Sequence, residues 1–186
     1  MRRNRATIMQ PTTELPQYAQ LFIEGLKEAG VSVVCAVPES LLAGVYRGCA
    51  RDNSLRYIPT TNESELPGIC AGTYLAGKKA IMVIENSGLR QACEPIARFS
   101  FCHGMPLVMA MSFRGEWGER NWWGHNHAQT MEPILNALRI PFRFIARLDD
   151  IKPAIRKAYY HADSSNWPVA MVFTGECVEV PAYAKD

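Results

Sequence analysis

The sequence predicts an α/β fold in which a six-stranded parallel sheet carries helices on both faces, a flavodoxin-like layering. Three observations predict it. Short β-branched or apolar runs alternate with helical patterns through nearly the whole chain, the signature of a parallel sheet covered on both sides. Several of those runs are apolar at every position, as strands buried on both faces are. The length, 186 residues, suits one domain with a core large enough to need no covalent staples.

Residues 1–14 are polar and aperiodic, so a flexible N-terminal arm is expected there, ahead of a single domain over 15–186. The pattern over 15–29 places Tyr18, Leu21, Phe22 and Leu26 on one helical stripe and stops at Gly30. A strand over 32–37 follows. Ser40 then precedes Leu41, Leu42, Val45 and Tyr46, which reads as an N-cap and an apolar face. A strand over 55–59 leads into a helix over 63–76, rich in small residues and with Pro67 tolerable in its first turn. The strand 80–85 and the helix 89–101 end at Gly104, and the strand 107–112 comes next. Residues 114–129 read as one long loop, a feature usually functional or mobile in a compact domain. Met131, Ile134, Leu135 and Leu138 then recur at helical spacing over 130–138. The strand 142–146, the helix 149–162 and the strand 169–174 close the pattern.

Composition narrows the function. Twenty Lys and Arg against eighteen Asp and Glu leave a charge of +2, too small for a nucleic-acid or membrane footprint. No apolar run reaches the roughly 18 residues of a membrane span. The basic start, Met1 to Arg5, is followed by polar residues where a signal peptide would be apolar, so a cytoplasmic protein is expected. The six cysteines form no CxxC pair and four lie in apolar or small-residue runs, as buried reduced thiols do.

Ligands of open α/β sheets collect beyond the carboxyl ends of the strands. There the sequence places Pro38-Glu39-Ser40, Thr60-Thr61-Asn62-Glu63, Asn86-Ser87-Gly88 and the long loop with Arg114, Arg120, His125 and His127. None of GxxxxGK[ST], GxGxxG or GxSxG occurs. His125 and His127 are wrongly spaced for a helical zinc pair and no cysteine pair completes them, so no metal site is expected on this chain.

The segments VPESLL (37–42), TTNESELPGICAGTYLAGKKA (60–80), IENSGLR (84–90), FRGEWGE (113–119) and LRIP (138–141) carry a resemblance. The chain resembles the pyrimidine-binding domain of thiamine-diphosphate enzymes, and most closely the alpha subunits of sulfopyruvate decarboxylases and the related phosphonopyruvate decarboxylases. The similar stretch runs from about residue 21 to 146. Its most specific part is Asn-Glu leading into a small-residue helix, with Gly72 nine residues after Glu63.

The resemblance implies roles. Glu63 would hydrogen-bond the aminopyrimidine ring of thiamine diphosphate and so assist removal of the thiazolium proton. A 2-oxoacid would then lose carbon dioxide and leave as an aldehyde. A carboxyl group in a closed apolar cleft can share a proton with a ring nitrogen in this way. Glu65 is the rival carboxylate, and the Gly72 register favours Glu63. Asn86, Ser87 and Gly88 would line the cofactor cleft; they could also be an ordinary turn. Ser40 would face substrate, which is compatible with a cap. His125 and His127 would offer imidazoles for proton transfer near neutral pH, or lie on the surface. Arg114 would bind the acidic group of substrate, or pair with Glu116 or Glu119. Trp117, Trp122 and Trp123 would plug the loop, cover the substrate or meet a partner.

The family's diphosphate half, a Gly-Asp-Gly followed by Asn that binds Mg2+, has no counterpart here. The resemblance therefore implies half a cofactor site, completed in a hetero-oligomer by a beta subunit. Glu39 stands where Asp is common and Arg90 where Gly is usual. Such departures touch substrate contacts and keep other acids open, including phosphonopyruvate, and carboligation too. A non-catalytic flavodoxin-like binding module is the reading from another class.

Overall fold

A computed structural model describes residues 14–178. The arm expected over 1–14 lies outside them except for Glu14, as do residues 179–186 of the expected domain. Among the described residues six strands form one all-parallel sheet: β1 (Val31–Ala36), β2 (Arg56–Pro59), β3 (Lys79–Glu85), β4 (Leu107–Ser112), β5 (Phe142–Ile145) and β6 (Pro168–Phe173), in the order β2-β1-β3-β4-β6-β5. Each was legible within two residues.

The pleat sends alternate residues to two cores. On one side Val34, Ala36, Ile81, Val83, Val108, Ala110 and Phe173 meet α1 (Gln17–Glu28), α2 (Ala43–Arg51) and α6 (Ile151–Ser165). On the other, Cys35, Met82, Ile84, Met109, Met111 and Val172 meet α3 (Leu66–Leu75), α4 (Leu89–Ile96) and α5 (His125–Ala137). The period of two thus explains why the strand runs are apolar throughout. Phe22 of α1 packs edge-on against Phe173 of β6, with ring centroids 5.5 Å apart.

Two local expectations need correction. Ser40 does not cap α2. No side chain caps it: the N-cap is Leu42, and Glu39 instead holds the turn before the helix, accepting the backbone N–H groups of Leu41 at 2.6 Å and Leu42 at 2.7 Å. The two carboxylate oxygens accept one of these N–H groups each. Residues 114–129 are not all loop, because α5 begins at His125. The first turn of α5 is polar and gives no apolar period to read.

The chain leaves β1 toward β2 and leaves β3 toward β4. The connections after β1 and β3 therefore diverge, and the crevice between their carboxyl ends is the switch point where such sheets bind ligands.

Candidate active site

Glu63 opens a short 3-10 turn, Glu63–Glu65, that runs directly into α3. The turn is fixed by local chemistry. Asn62 Oδ1 accepts the Ser64 N–H at 2.9 Å, while Glu65 Oε1 accepts the Asn62 N–H at 3.1 Å and the Thr61 hydroxyl at 3.3 Å. This reciprocal capping consumes Glu65. Glu63 is half-buried and has no hydrogen-bond or ion-pair partner among the described residues. The structure thus separates the two rival carboxylates: one holds the turn and the other is available.

Gly88 holds Glu63 in place by its lack of a side chain. A Cβ there would sit 2.6 Å from Glu63 Oε1. Gly88 ends the 3-10 turn Asn86–Gly88 at the start of α4, so the Asn-Ser-Gly sequence forms the wall against which the Glu63 carboxylate lies. Its other two residues are anchored. Asn86 is buried and makes a reciprocal pair with the backbone of Arg114, donating to its carbonyl at 2.9 Å and accepting its N–H at 3.1 Å. Ser87 Oγ donates to Glu85 Oε1 at 2.7 Å.

Arg114 lies at the floor of the crevice, 3% exposed. Its guanidinium donates to Ser40 Oγ at 2.9 Å and lies 3.5 Å from Glu119 and 3.6 Å from Glu85. Trp123 covers it, with the ring centroid 5.2 Å from the guanidinium carbon. Ser40 and Arg114, far apart in sequence, are thus brought together. Arg114 also has the ion pair with Glu119 that the sequence left open, whereas Glu116 binds the Gly175 N–H at 2.8 Å instead.

His127 joins this group from α5. Its Nε2 is 3.8 Å from Glu85 Oε1, and its Nδ1 is 3.0 Å from an Arg90 guanidinium nitrogen. Burial lowers the His127 pKa; Arg90 and Arg114 lower it further, against Glu85 and Glu119. His125 is exposed at the start of the same helix. Two residues apart on a helix do not share a face, so only one imidazole meets the cluster. Trp117 and Trp122 are fully and largely exposed, at 103% and 84%.

Glu85 is a contributor that the sequence reading does not single out, whereas Glu39 and Arg90 stand there only as departures that touch substrate contacts. Burial pushes the Glu39 carboxyl up, the Leu41 and Leu42 N–H groups pull it down, and Glu85 and Arg114 act on it in opposite senses. In Glu119 burial acts upward too, but the Asn121 and Gly115 N–H groups and Arg114 hold its carboxyl below the ordinary range. The signal that could have found Glu85 was its place at the carboxyl end of a central strand.

A cleft of about 670 Å3 between β5 and α6 contains none of these residues. Among the described residues, no group of three or more His, Cys, Asp or Glu is placed to hold a metal ion, and no helix is long and apolar enough to cross a membrane.

No protein-family model matches the chain. Individual proteins do. The chain is 29% identical over 148 residues to sulfopyruvate decarboxylase subunit alpha of Methanocaldococcus jannaschii, covering 80% of this chain and 88% of that one. Against the same subunit of Methanothermobacter thermautotrophicus it is 32% identical over 119 residues, covering 64% of this chain and 72% of the relative. The chain belongs to the sulfopyruvate decarboxylase alpha-subunit family. The fold of this family member also matches benzoylformate decarboxylase from Polynucleobacter necessarius, at a TM-score of 0.67 and 17% identity. That match covers 88% of this chain and 31% of the longer protein.

Proposed function

We propose that the chain is the alpha subunit of a thiamine-diphosphate-dependent decarboxylase that converts sulfopyruvate to sulfoacetaldehyde and carbon dioxide. The observation that carries this reading is Glu63. Its carboxylate has no partner among the described residues and lies against a glycine that leaves it room. A lone acceptor and proton donor at the edge of a cleft fits a ring nitrogen. Gly72 on α3 is exposed, with nothing within 4 Å of where a Cβ would stand, which allows another surface to approach there.

Bound there, thiamine diphosphate would supply the nucleophilic carbon and the electron sink for loss of carbon dioxide. Glu63 would hold the proton shared with the pyrimidine ring. Asn86, Ser87 and Gly88 would form the wall beside it. His127 would move a proton on its Nε2, at a site where burial keeps the imidazole neutral near pH 7. Ser40 would touch the acidic group of the substrate, with Arg114 beneath it as support and source of positive charge.

The Mg2+ and the diphosphate would be held by a beta subunit in a hetero-oligomer, with Trp117 and Trp122 as contacts toward it. The names of the relatives support such a partner. The test is co-expression of the chain with a beta subunit carrying Gly-Asp-Gly, followed by an assay of carbon dioxide release from sulfopyruvate, phosphonopyruvate and pyruvate. Release is expected only with both chains, the cofactor and Mg2+, and fastest from sulfopyruvate. A well-formed complex that binds the cofactor yet releases nothing from sulfopyruvate would defeat the substrate assignment. A complex that does not bind the cofactor would defeat the reading as a whole.

A further inference from the structure

His127 has two ring nitrogens, and neutral imidazole carries a proton on only one of them. Which one it is decides what the residue can do. The surroundings of His127 settle the question. Guanidinium groups donate hydrogen bonds and cannot accept them. An Arg90 guanidinium nitrogen lies 3.0 Å from His127 Nδ1, so Nδ1 must present its lone pair. The proton then sits on Nε2, the nitrogen 3.8 Å from Glu85.

Arg90 is itself held for this task. Its other terminal nitrogen donates to Thr130 Oγ1 at 2.9 Å. Thr130 in turn donates to the Asn126 carbonyl at 2.8 Å, one turn earlier in α5. Arg90 stands on α4 with its side chain largely in solvent, and nothing in the core needs it. Its planar fork therefore spans two helices and ends on one imidazole nitrogen.

We propose that Arg90 is a positioning residue that fixes His127 as the Nε2–H tautomer, directing the ring's proton toward Glu85 and the carboxyl edge. The proposal rests on the reading of His127 as the proton-transfer group. It adds the device that orients the proton and keeps the ring neutral. Every charged group facing the ring takes part. Glu85 at the end of β3 attracts the Nε2 proton. Arg114 and Glu119 from the loop after β4 act in opposite senses. Arg90 on α4 opposes a second proton on Nδ1, and burial under Trp123, with ring centroids 5.8 Å apart, opposes it too. His127 thus serves as a donor through Nε2 and recovers its proton there, with Nδ1 reserved for Arg90.

The test is long-range proton–nitrogen correlation NMR on the full chain with 15N-labelled histidine. The chain has four histidines, and His127→Gln assigns the relevant signals. Wild-type protein is expected to show a non-protonated Nδ1 and a protonated Nε2 from neutral pH to below the ordinary imidazole midpoint. Arg90→Met should relax the ring to a tautomer mixture and raise its midpoint by about one unit, the scale for removing a nearby like charge. Arg90→Lys should restore the lowered midpoint. Thr130→Val should loosen the tautomer preference in part. A wild-type ring protonated at Nδ1, or an Arg90→Met ring with unchanged tautomer and midpoint, would overturn the proposal. Turnover by the assembled enzyme tests the underlying reading separately. Full activity in His127→Gln would remove the proton-transfer role and leave the tautomer result standing.

Discussion

The two halves of the carboxyl edge are built by different means. Around Glu63 the work is done by backbone and by missing atoms: a capping turn over 62–65 and a glycine at 88 that leaves space for a carboxylate. Around His127 it is done by long side chains. Glu85, Arg90, Arg114, Glu119 and Ser40 come from three different connections, those after β1, β3 and β4, and meet only in the fold. The first half is local and stiff. The second is a network in which each charge depends on the others. A cofactor common to many enzymes suits the first construction. A substrate that varies between enzymes suits the second.

The largest expected effect lies in the first half. Glu63→Gln should lower turnover roughly 10²–10⁴-fold, as loss of one general acid–base group does. Gly88→Ala sharpens the point. Gly88 has an ordinary negative φ of −71°, so alanine costs nothing in backbone conformation. The three atoms nearest the new Cβ would all belong to the flexible Glu63 side chain, Cγ, Cδ and Oε1. Overpacking costs about 1–3 kcal/mol, and a movable neighbour places this variant at the low end. The fold should survive while turnover falls nearly as far as in Glu63→Gln. Wild-type turnover in Gly88→Ala, measured beside its urea midpoint, would break the link between the glycine and the carboxylate.

The second half should fail differently. Arg114→Met leaves Glu85 and Glu119, both largely buried, facing each other without their shared cation. Breaking such a buried arrangement from one side costs about 3–5 kcal/mol. Urea denaturation should show the loss directly. If stability held and only KM for sulfopyruvate rose, Arg114 would be a direct substrate ligand instead of the support of Ser40.

Much of the first half was legible in the sequence, and little of the second. The strands announced themselves because burial on both faces demands unbroken apolar runs. The turn and helix that carry Glu63 were legible because they lie, with Gly72, within one short segment. Nothing local, by contrast, links Asn86 to Arg114, 28 residues apart, or Arg114 to Ser40, 74 apart. Those contacts are made by the strand order, which brings β1, β3 and β4 side by side. Serine before an apolar helical stripe suggests a cap, but α2 has no side-chain cap and Ser40 instead accepts from Arg114.

A third variant separates position from chemistry within the first half. Glu65→Ala removes the acceptor for the Asn62 N–H and the Thr61 hydroxyl and leaves Glu63 in the sequence. Loss of a capping interaction costs about 0.5–2 kcal/mol. The melting temperature should fall accordingly, while turnover falls far less than in Glu63→Gln. Equal losses of turnover in the two variants would mean that the turn, and not the Glu63 carboxylate alone, is what activity requires.

The smallest effect comes from a charge outside both halves, and it calibrates the others. Asp52, just after α2, accepts from Ser54 at 2.6 Å and pairs with Lys27 at 2.9 Å. The Ser54 hydroxyl first, then Lys27 and the Ser54 N–H, hold its pKa at about 2 against an ordinary 3.8. A carboxylate whose pKa falls on folding stabilises the protein above its unfolded pKa, and that contribution is lost as pH falls through the folded value. Asp52→Asn should therefore lower stability by a constant amount above about pH 5, and the difference from wild type should shrink to nothing between pH 3.8 and about 2. The pair is solvent-exposed on the lysine side, so screening limits its worth to about 0.2–1 kcal/mol. Turnover should not change at all. A surface charge can thus have a strongly displaced pKa and no part in the chemistry. Glu63 is marked by geometry instead, for among the described residues it has no hydrogen-bond or ion-pair partner.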